Sequence, residues 1–227
     1  MSNLAMSFAE PQQAFAFPQP LAEKYRPQRI QDFVGLDKAK RIISKLAVNP
    51  YSSAWLFQGP SGTGKTTMAL ALAAEMPAEL HHIPAKECTL DAVQEVCRQC
   101  HYSPRQPDDW KPVRFHLVLI DEADQMSNAA QLALLSKLDA TAFPPNTIFV
   151  FTCNATDSLE KRFLSRCRTV EFSSYGMAGE ITGLLSAIWD RETDNPVERP
   201  NFQRIVKDAC NNVRDALMTL EVEILAA

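Results

Sequence analysis

The chain has 227 residues, 46% of them apolar, and a formal net charge of −4. That length allows one large domain or a medium one with a small companion, and no apolar run is long enough to span a bilayer. The mild charge gives no global support for nucleic-acid binding, leaving only a local basic face, and no basic-then-apolar leader opens the chain. Six cysteines in a chain able to build its own core read as the reduced thiols of a cytoplasmic protein.

Residues 1–20, rich in Ala, Gln, Pro and Phe without a period, read as a flexible arm. From Asp37 the spacing Ala39, Ile42, Ile43, Leu46, Ala47 predicts a helix that Asn49-Pro50 stops. Ala54–Phe57 predicts a strand. It runs into Gly59-Pro60-Ser61-Gly62-Thr63-Gly64-Lys65-Thr66-Thr67, a full match to G-x-x-x-x-G-K-[ST] that opens a helix at about Lys65. Glycines let backbone N–H groups turn inward around a phosphate, and the helix N-terminus adds positive potential. Lys65 would reach the terminal phosphates and the Thr66 hydroxyl would ligate Mg²⁺. A Gly-rich turn that binds nothing is the bland alternative, disfavoured by the strand–loop–helix setting.

The helix ends before Pro77, and Leu80–Ile83 is a weak strand candidate. Thr89 suits an N-cap for a helix with Leu90, Val93, Val96 and Cys97 on one side. Tyr102 to Pro112 reads as a surface loop. Phe115–Ile120 is a further apolar run, closed by Asp121-Glu122-Ala123-Asp124; Ser127 caps an amphipathic helix with Ala130, Leu134, Leu135 and Leu138. Ile148–Phe151 and Thr169–Phe172 are two more strands, with a short helix, Ser158 to Ser165, between them. Apolar strands alternating with helices indicate an α/β fold, a parallel sheet covered on both faces. After Ser173–Gly176 the pattern turns all-helical (Ile181–Trp189, Phe202–Ala209, Val213–Leu225), which predicts an α/β domain over 21–174 and a small three-helix lid over 175–227.

In an open α/β sheet, ligands lie outside the carboxyl ends of the strands. Asp121 is therefore expected to hold Mg²⁺, and Glu122 to deprotonate the attacking water. A pair that merely caps the next helix is the alternative. Asn154, at the end of the next strand, is placed to hold that water. Arg166, between a short helix and an edge strand, could act on a neighbouring subunit's γ-phosphate, although its spacing alone favours a solvated surface residue. Arg214 opens the last helix, where a cation opposes the dipole, a weak sign of a phosphate partner. Cys88, Cys97, Cys100 and His101 invite a zinc reading, although Cys97-x-x-Cys100 is also simply i, i+3 on a helix.

Taken together, these residues resemble the AAA+ ATPases, and within them clamp-loader subunits of the replication factor C small-subunit type. The resemblance rests on Glu23-Lys24-Tyr25-Arg26-Pro27 with Asp32-Phe33-Val34-Gly35, on Gly59–Thr66, Leu117–Asp124 and Thr152-Cys153-Asn154, and on Ser165-Arg166-Cys167 and Asn212–Leu217. It implies a P-loop NTPase module that binds ATP and Mg²⁺, with adenine contacts at Tyr25, Arg26, Pro27 and Val34. It further implies that Arg214 contacts the γ-phosphate from the lid and that Arg166 acts in trans. The implied partners are other AAA+ subunits, a sliding clamp and primer–template DNA. Leu36 and Asn211 depart from the family pattern, where Gln and Gly are expected. Subunits of this type carry a third, collar domain; the chain ends after the lid, so the expectation is that collar-bearing partners recruit it or that it assembles through Arg166. Two other classes stay open: a nucleotide-dependent interaction module and a remodeller of proteins. A nucleic-acid helicase, suggested by Asp121-Glu122-Ala123-Asp124, needs a second RecA-like domain that the chain has no residues to build.

Overall fold

Among the described residues, three solidly apolar strands and two mixed ones assemble into one parallel sheet. In the computed structural model, whose described residues are 19–105, 113–193 and 199–226, the strands are β1 (Ser53–Gln58), β2 (Ala78–Pro84), β3 (Phe115–Asp121), β4 (Thr147–Cys153) and β5 (Arg168–Glu171). Their order across the sheet is β2-β3-β4-β1-β5, and every pairing is parallel. The helices are α1 (Leu21–Lys24), α2 (Asp37–Val48), α3 (Lys65–Glu75), α4 (Leu90–Gln99), α5 (Asn128–Lys137), α6 (Lys161–Leu164), α7 (Ala178–Glu192), α8 (Phe202–Asp208) and α9 (Val213–Ala226).

The two-residue period of the strands divides the core. Leu56, Val118, Ile120, Phe149 and Phe151 pack under α4 and α5. Trp55, Phe57, Leu117, Leu119, Ile148 and Val150 pack under α2 and α3. Both faces are covered, which is why the central strands read as unbroken apolar runs rather than alternating ones. Each large side chain buried this way contributes about 1.5–3 kcal/mol. A third apolar cluster joins α7, α8 and α9 through Ile181, Leu185, Trp189, Val206, Leu217 and Leu220, with Leu21 of α1 and Met177 added to it.

The predicted caps hold: the Thr89 hydroxyl accepts from Ala92 N–H and the Ser127 hydroxyl from Ala130 N–H. Two expectations need correction. Leu90, placed on the apolar side of α4, is 49% exposed, because as the first residue of the helix it projects beyond the packed face. The helix expected from Ser158 is only α6, because buried Gln131 of α5 claims the preceding backbone. Its amide nitrogen donates to Ser158 O at 3.1 Å and its Oε1 accepts from Glu160 N at 2.9 Å. Residues 1–18 of the arm expected over 1–20, and 106–112 of the loop expected from Tyr102 to Pro112, lie outside the described residues. Among the described residues, no helix is long and apolar enough to cross a membrane.

The strand order also positions the site. β1 lies beside β4, with β3 one strand further, so the loop leaving β1 emerges next to the carboxyl ends of both.

Candidate nucleotide-binding site

The loop between β1 and α3 is shaped by its glycines. Gly62 and Gly64 have φ of 73° and 86°, a left-handed region that residues with a Cβ rarely enter. Gly59 has a second reason: a Cβ there would lie 2.0 Å from the Phe172 carbonyl oxygen. Lys65, the first residue of α3, is almost wholly buried and folds its Nζ back into the loop. It donates to Gly59 O (2.7 Å), Pro60 O (2.8 Å) and Asn154 Oδ1 (3.0 Å). Burial pushes its pKa below the ordinary lysine range, while the nearby Asp121 and Asp124 carboxylates work to keep it charged.

The strand ends supply the carboxylates. Asp121 Oδ1 accepts from the Thr66 hydroxyl at 2.7 Å and from the Thr152 hydroxyl. The same Thr152 oxygen accepts from Glu122 N at 3.0 Å. Glu122 turns the chain out of β3 with φ of 57°, which leaves it exposed at the mouth of the site. A non-glycine residue held at positive φ is a strained conformation, and such strain gathers at functional sites. Asp124 keeps one buried carboxylate oxygen without a hydrogen-bond partner, next to Asn154, whose N–H reaches the other oxygen at 3.4 Å.

Ser61, Gly62, Gly64, Lys65, Thr66, Thr67, Asp121, Glu122, Asn154 and Arg214 line one cavity. A second cavity adjoins it, lined by Tyr25, Arg26, Pro27, Phe33, Val34, Thr63, Met177, Leu184, Val213 and again Arg214. Its walls are mostly apolar and ring-bearing, suited to a flat base, whereas the first is polar and suited to phosphates. All the expected nucleotide contacts except Gly59 and Pro60 line one cavity or the other. Those two meet the site through their carbonyls, which accept from Lys65 Nζ. Hard oxygen donors at Thr66 and Asp121, with the orphaned Asp124 oxygen nearby, fit a magnesium ion.

The segment over the second cavity is tied on both sides. Arg26 Nε donates to Thr67 Oγ1 on α3 at 3.1 Å. The Tyr25 hydroxyl donates to Glu192 of α7, and Lys24 pairs with the same carboxylate at 2.7 Å. Burial, and then the Glu192 carboxylate, raise the Tyr25 pKa. Gly35 N donates to Glu180 of α7 at 2.6 Å. Asn212 was not among the expected site residues, yet it joins the helices to the loop. Its Oδ1 accepts from Arg214 N and Asp215 N, capping α9, while its Nδ2 donates to Ser61 O at 3.2 Å. The signal was present as an Asn just ahead of a helical run. Thr152 was also missed, because its role depends on β4 lying beside β3.

Arg166 stands apart from both cavities. Its guanidinium pairs with Asp139 at 2.9 Å and donates to Arg162 O at 3.0 Å, on the outer side beyond α6. The zinc reading of Cys88, Cys97, Cys100 and His101 does not survive. Among the described residues, the cluster of ligating atoms that includes Cys100 takes in none of the other three: Cys88 and Cys97 pack into the core shared by α4 and α5, and His101 faces solvent.

Residues 55–175 match the family described as "ATPase family associated with various cellular activities (AAA)". Replication factor C subunit 4 of Oryza sativa subsp. japonica is 30% identical over 223 residues, covering 97% of this chain and 65% of that protein. DNA polymerase III subunit tau of Bacillus subtilis is 28% identical over 226 residues, covering 91% of this chain and 39% of that protein. Among solved structures, Thermotoga maritima RuvB superposes with a TM-score of 0.70 at 19% identity, over 89% of this chain and 65% of that one, a likeness of fold. The chain thus spans less than two thirds of the length of these relatives.

Proposed function

Because the chain belongs to the AAA family of ATPases, we propose that it binds and hydrolyses ATP as a clamp-loader-type subunit, coupling turnover to assembly on DNA or a sliding clamp. One observation carries the reading: Lys65, Thr66, Asp121, Glu122, Asn154 and Arg214, drawn from four separate stretches of sequence, line a single cavity. The base lies in the adjoining apolar cavity, between Tyr25–Val34 and the helices α7 and α9. The α/β part (21–174) and the helical part (175–227) act as two domains closing on the nucleotide, the first built on two apolar clusters and the second on a third that also takes in Leu21.

The residues take the following roles. Lys65 exchanges the Gly59 and Pro60 carbonyls for phosphate oxygens, a stronger, charge-assisted pairing. Thr66 and Asp121 hold Mg²⁺, which when bound neutralises charge on the β- and γ-phosphate oxygens. Glu122 removes the proton of the attacking water, and Asn154 orients that water. Arg214 reaches the γ-phosphate from α9.

Arg166 serves a neighbouring subunit's site, for it lines neither cavity of its own chain. Its Asp139 partner is 54% exposed, and pairs of that kind are worth only about 0–1 kcal/mol, so a phosphate displaces it readily. The similarity to a replication factor C subunit and to a DNA polymerase III subunit supports the choice of partners: other AAA+ subunits, a clamp and primer–template DNA.

The test uses two variants that each lack a different half of the site. Arg166→Ala should bind ATP yet lose about 10³–10⁵ in turnover. Mixed with Glu122→Gln it should recover hydrolysis, because each variant supplies what the other lacks. Wild-type turnover in Arg166→Ala alone removes the trans role.

A further inference from the structure

A cluster of metal-ligating side chains lies away from the nucleotide, on the edge strand. We propose that His81, Cys100 and His116, with Glu79 as fourth ligand, form a site for a divalent cation of the zinc type. His81 Nε2 and His116 Nδ1 are 3.0 Å apart, and the Cys100 sulfur lies within 4.8 Å of both. Glu79 Oε2 is 3.4 Å from His116 Nδ1 and its Oε1 is 4.0 Å from His81 Nε2. Ligands around a tetrahedral zinc ion, at Zn–N and Zn–O near 2.0 Å and Zn–S near 2.3 Å, are roughly 3.3–3.8 Å from one another. The two imidazoles must therefore part by a few tenths of an ångström, and the Cys100 sulfur must close by up to about 1–1.5 Å.

The fold dictates this convergence. Glu79 and His116 are direct partners in the β2–β3 register, and His81 is two residues along the same face of β2. Cys100 closes the end of α4 above them. His116 is 1% exposed, and its Nε2 is 3.0 Å from the Tyr102 carbonyl oxygen. That bond puts the proton on Nε2 and leaves the Nδ1 lone pair facing the cluster, the usual backing of a metal-bound imidazole. Arg105 N–H donates to Glu79 Oε2 at 2.8 Å and steadies the carboxylate. The His81 and Glu79 side chains keep 11% and 29% exposure, a route for the ion.

Two imidazole nitrogens, a sulfur and one carboxylate are donors for zinc, cobalt or nickel rather than magnesium or calcium. The thiol proton leaves to solvent as the metal–sulfur bond forms. The site is structural: His116 precedes Asp121 by five residues on β3, about 16 Å at the rise of a strand. A bound ion would pin the end of α4 and the Tyr102–Arg105 segment to the edge strand.

Cobalt(II) alone, added to the chelator-treated full chain, gives the direct readout. One equivalent should bind with tetrahedral visible bands and a thiolate-to-cobalt charge-transfer band, and zinc should displace it. Asp121→Asn, which alters the all-oxygen magnesium site, should keep the full spectrum. Cys100→Ser should lose the charge-transfer band, and His81→Gln should weaken binding by ~10²-fold or more, beyond the loss seen for outer-shell changes. Wild-type protein, folded by circular dichroism, that shows no thiolate band overturns the proposal whatever the variants do. So does a band that persists in Cys100→Ser. Absence of the band would mean that the two histidines are simply hydrogen-bonded to each other.

Discussion

The proposed phosphate cradle, formed by the β1–α3 loop and the strand ends beside it, and the proposed lid, α7 to α9, line adjoining cavities but are held in different ways. In the cradle, Thr66, Asp121 and Thr152 share hydrogen bonds among strand ends fixed by the sheet, and Lys65 is anchored on three oxygens. The lid packs Leu21 of α1 into its apolar cluster, with Tyr25, Val34 and Leu36 against it, and adds a few polar latches: Glu192 to Lys24 and Tyr25, Glu180 to Gly35 N, and Asn212 to Ser61 O. A cradle fixed by strand pairing presents its groups before the ligand arrives, as preorganised catalysis requires. On the proposed reading, latches made of single side chains can be exchanged, so that nucleotide state would reach the lid while the strand-end groups stay in place.

Three substitutions sharpen that contrast. The largest effect belongs to the cradle's mouth. Glu122→Gln should bind ATP within a few-fold of wild type and lower turnover by about 10²–10⁴, as expected for loss of a general base. Rapid single-turnover hydrolysis in that variant would show another base. Arg214→Ala touches the lid's side of the phosphates. A hydrogen bond to a charged group is worth about 1.5–3 kcal/mol, so ATP affinity should fall by ~10–100-fold in a binding titration. The melting temperature of the free protein should hardly move, since Arg214 is exposed. Unchanged affinity would leave the lid without a phosphate contact. Asn212→Ala removes the cap of α9 and the link to Ser61. Cap loss costs about 0.5–2 kcal/mol. For a chain of this size the melting temperature should fall by roughly 2–4 °C per kcal/mol. An unchanged melting temperature would show that the cap contributes nothing to the lid.

Much of the cradle was legible in the sequence, because its spacing is a local property. Gly59 to Thr67 must follow a strand and open a helix, and Asp121-Glu122 closes an apolar run; both features survive in the fold. Contacts that depend on sheet order or on distant pairing were not legible. Thr152 meets Asp121 only because β4 lies beside β3. Tyr25 meets Glu192 across 167 residues of sequence. Gln131 looked like an ordinary helix residue, yet its side-chain bonds to 158 and 160 shortened the next helix. The cysteines are a case of the same kind. Cys97-x-x-Cys100 suggested a local pair, whereas Cys100 converges with two histidines from neighbouring strands whose register no spacing rule reveals. Arg166 lay between: its residue type was visible, but only the family resemblance gave it a purpose.

The most direct check is the equilibrium binding of Mg·ATP to the purified full chain, read by calorimetry against Lys65→Ala. Wild type should bind saturably at one site per chain, and Lys65→Ala should bind at least ~100-fold more weakly, as loss of a buried charge-assisted contact implies. Equal binding by the two proteins, or no saturable binding by wild type, would contradict the assignment of this cavity to a nucleoside triphosphate.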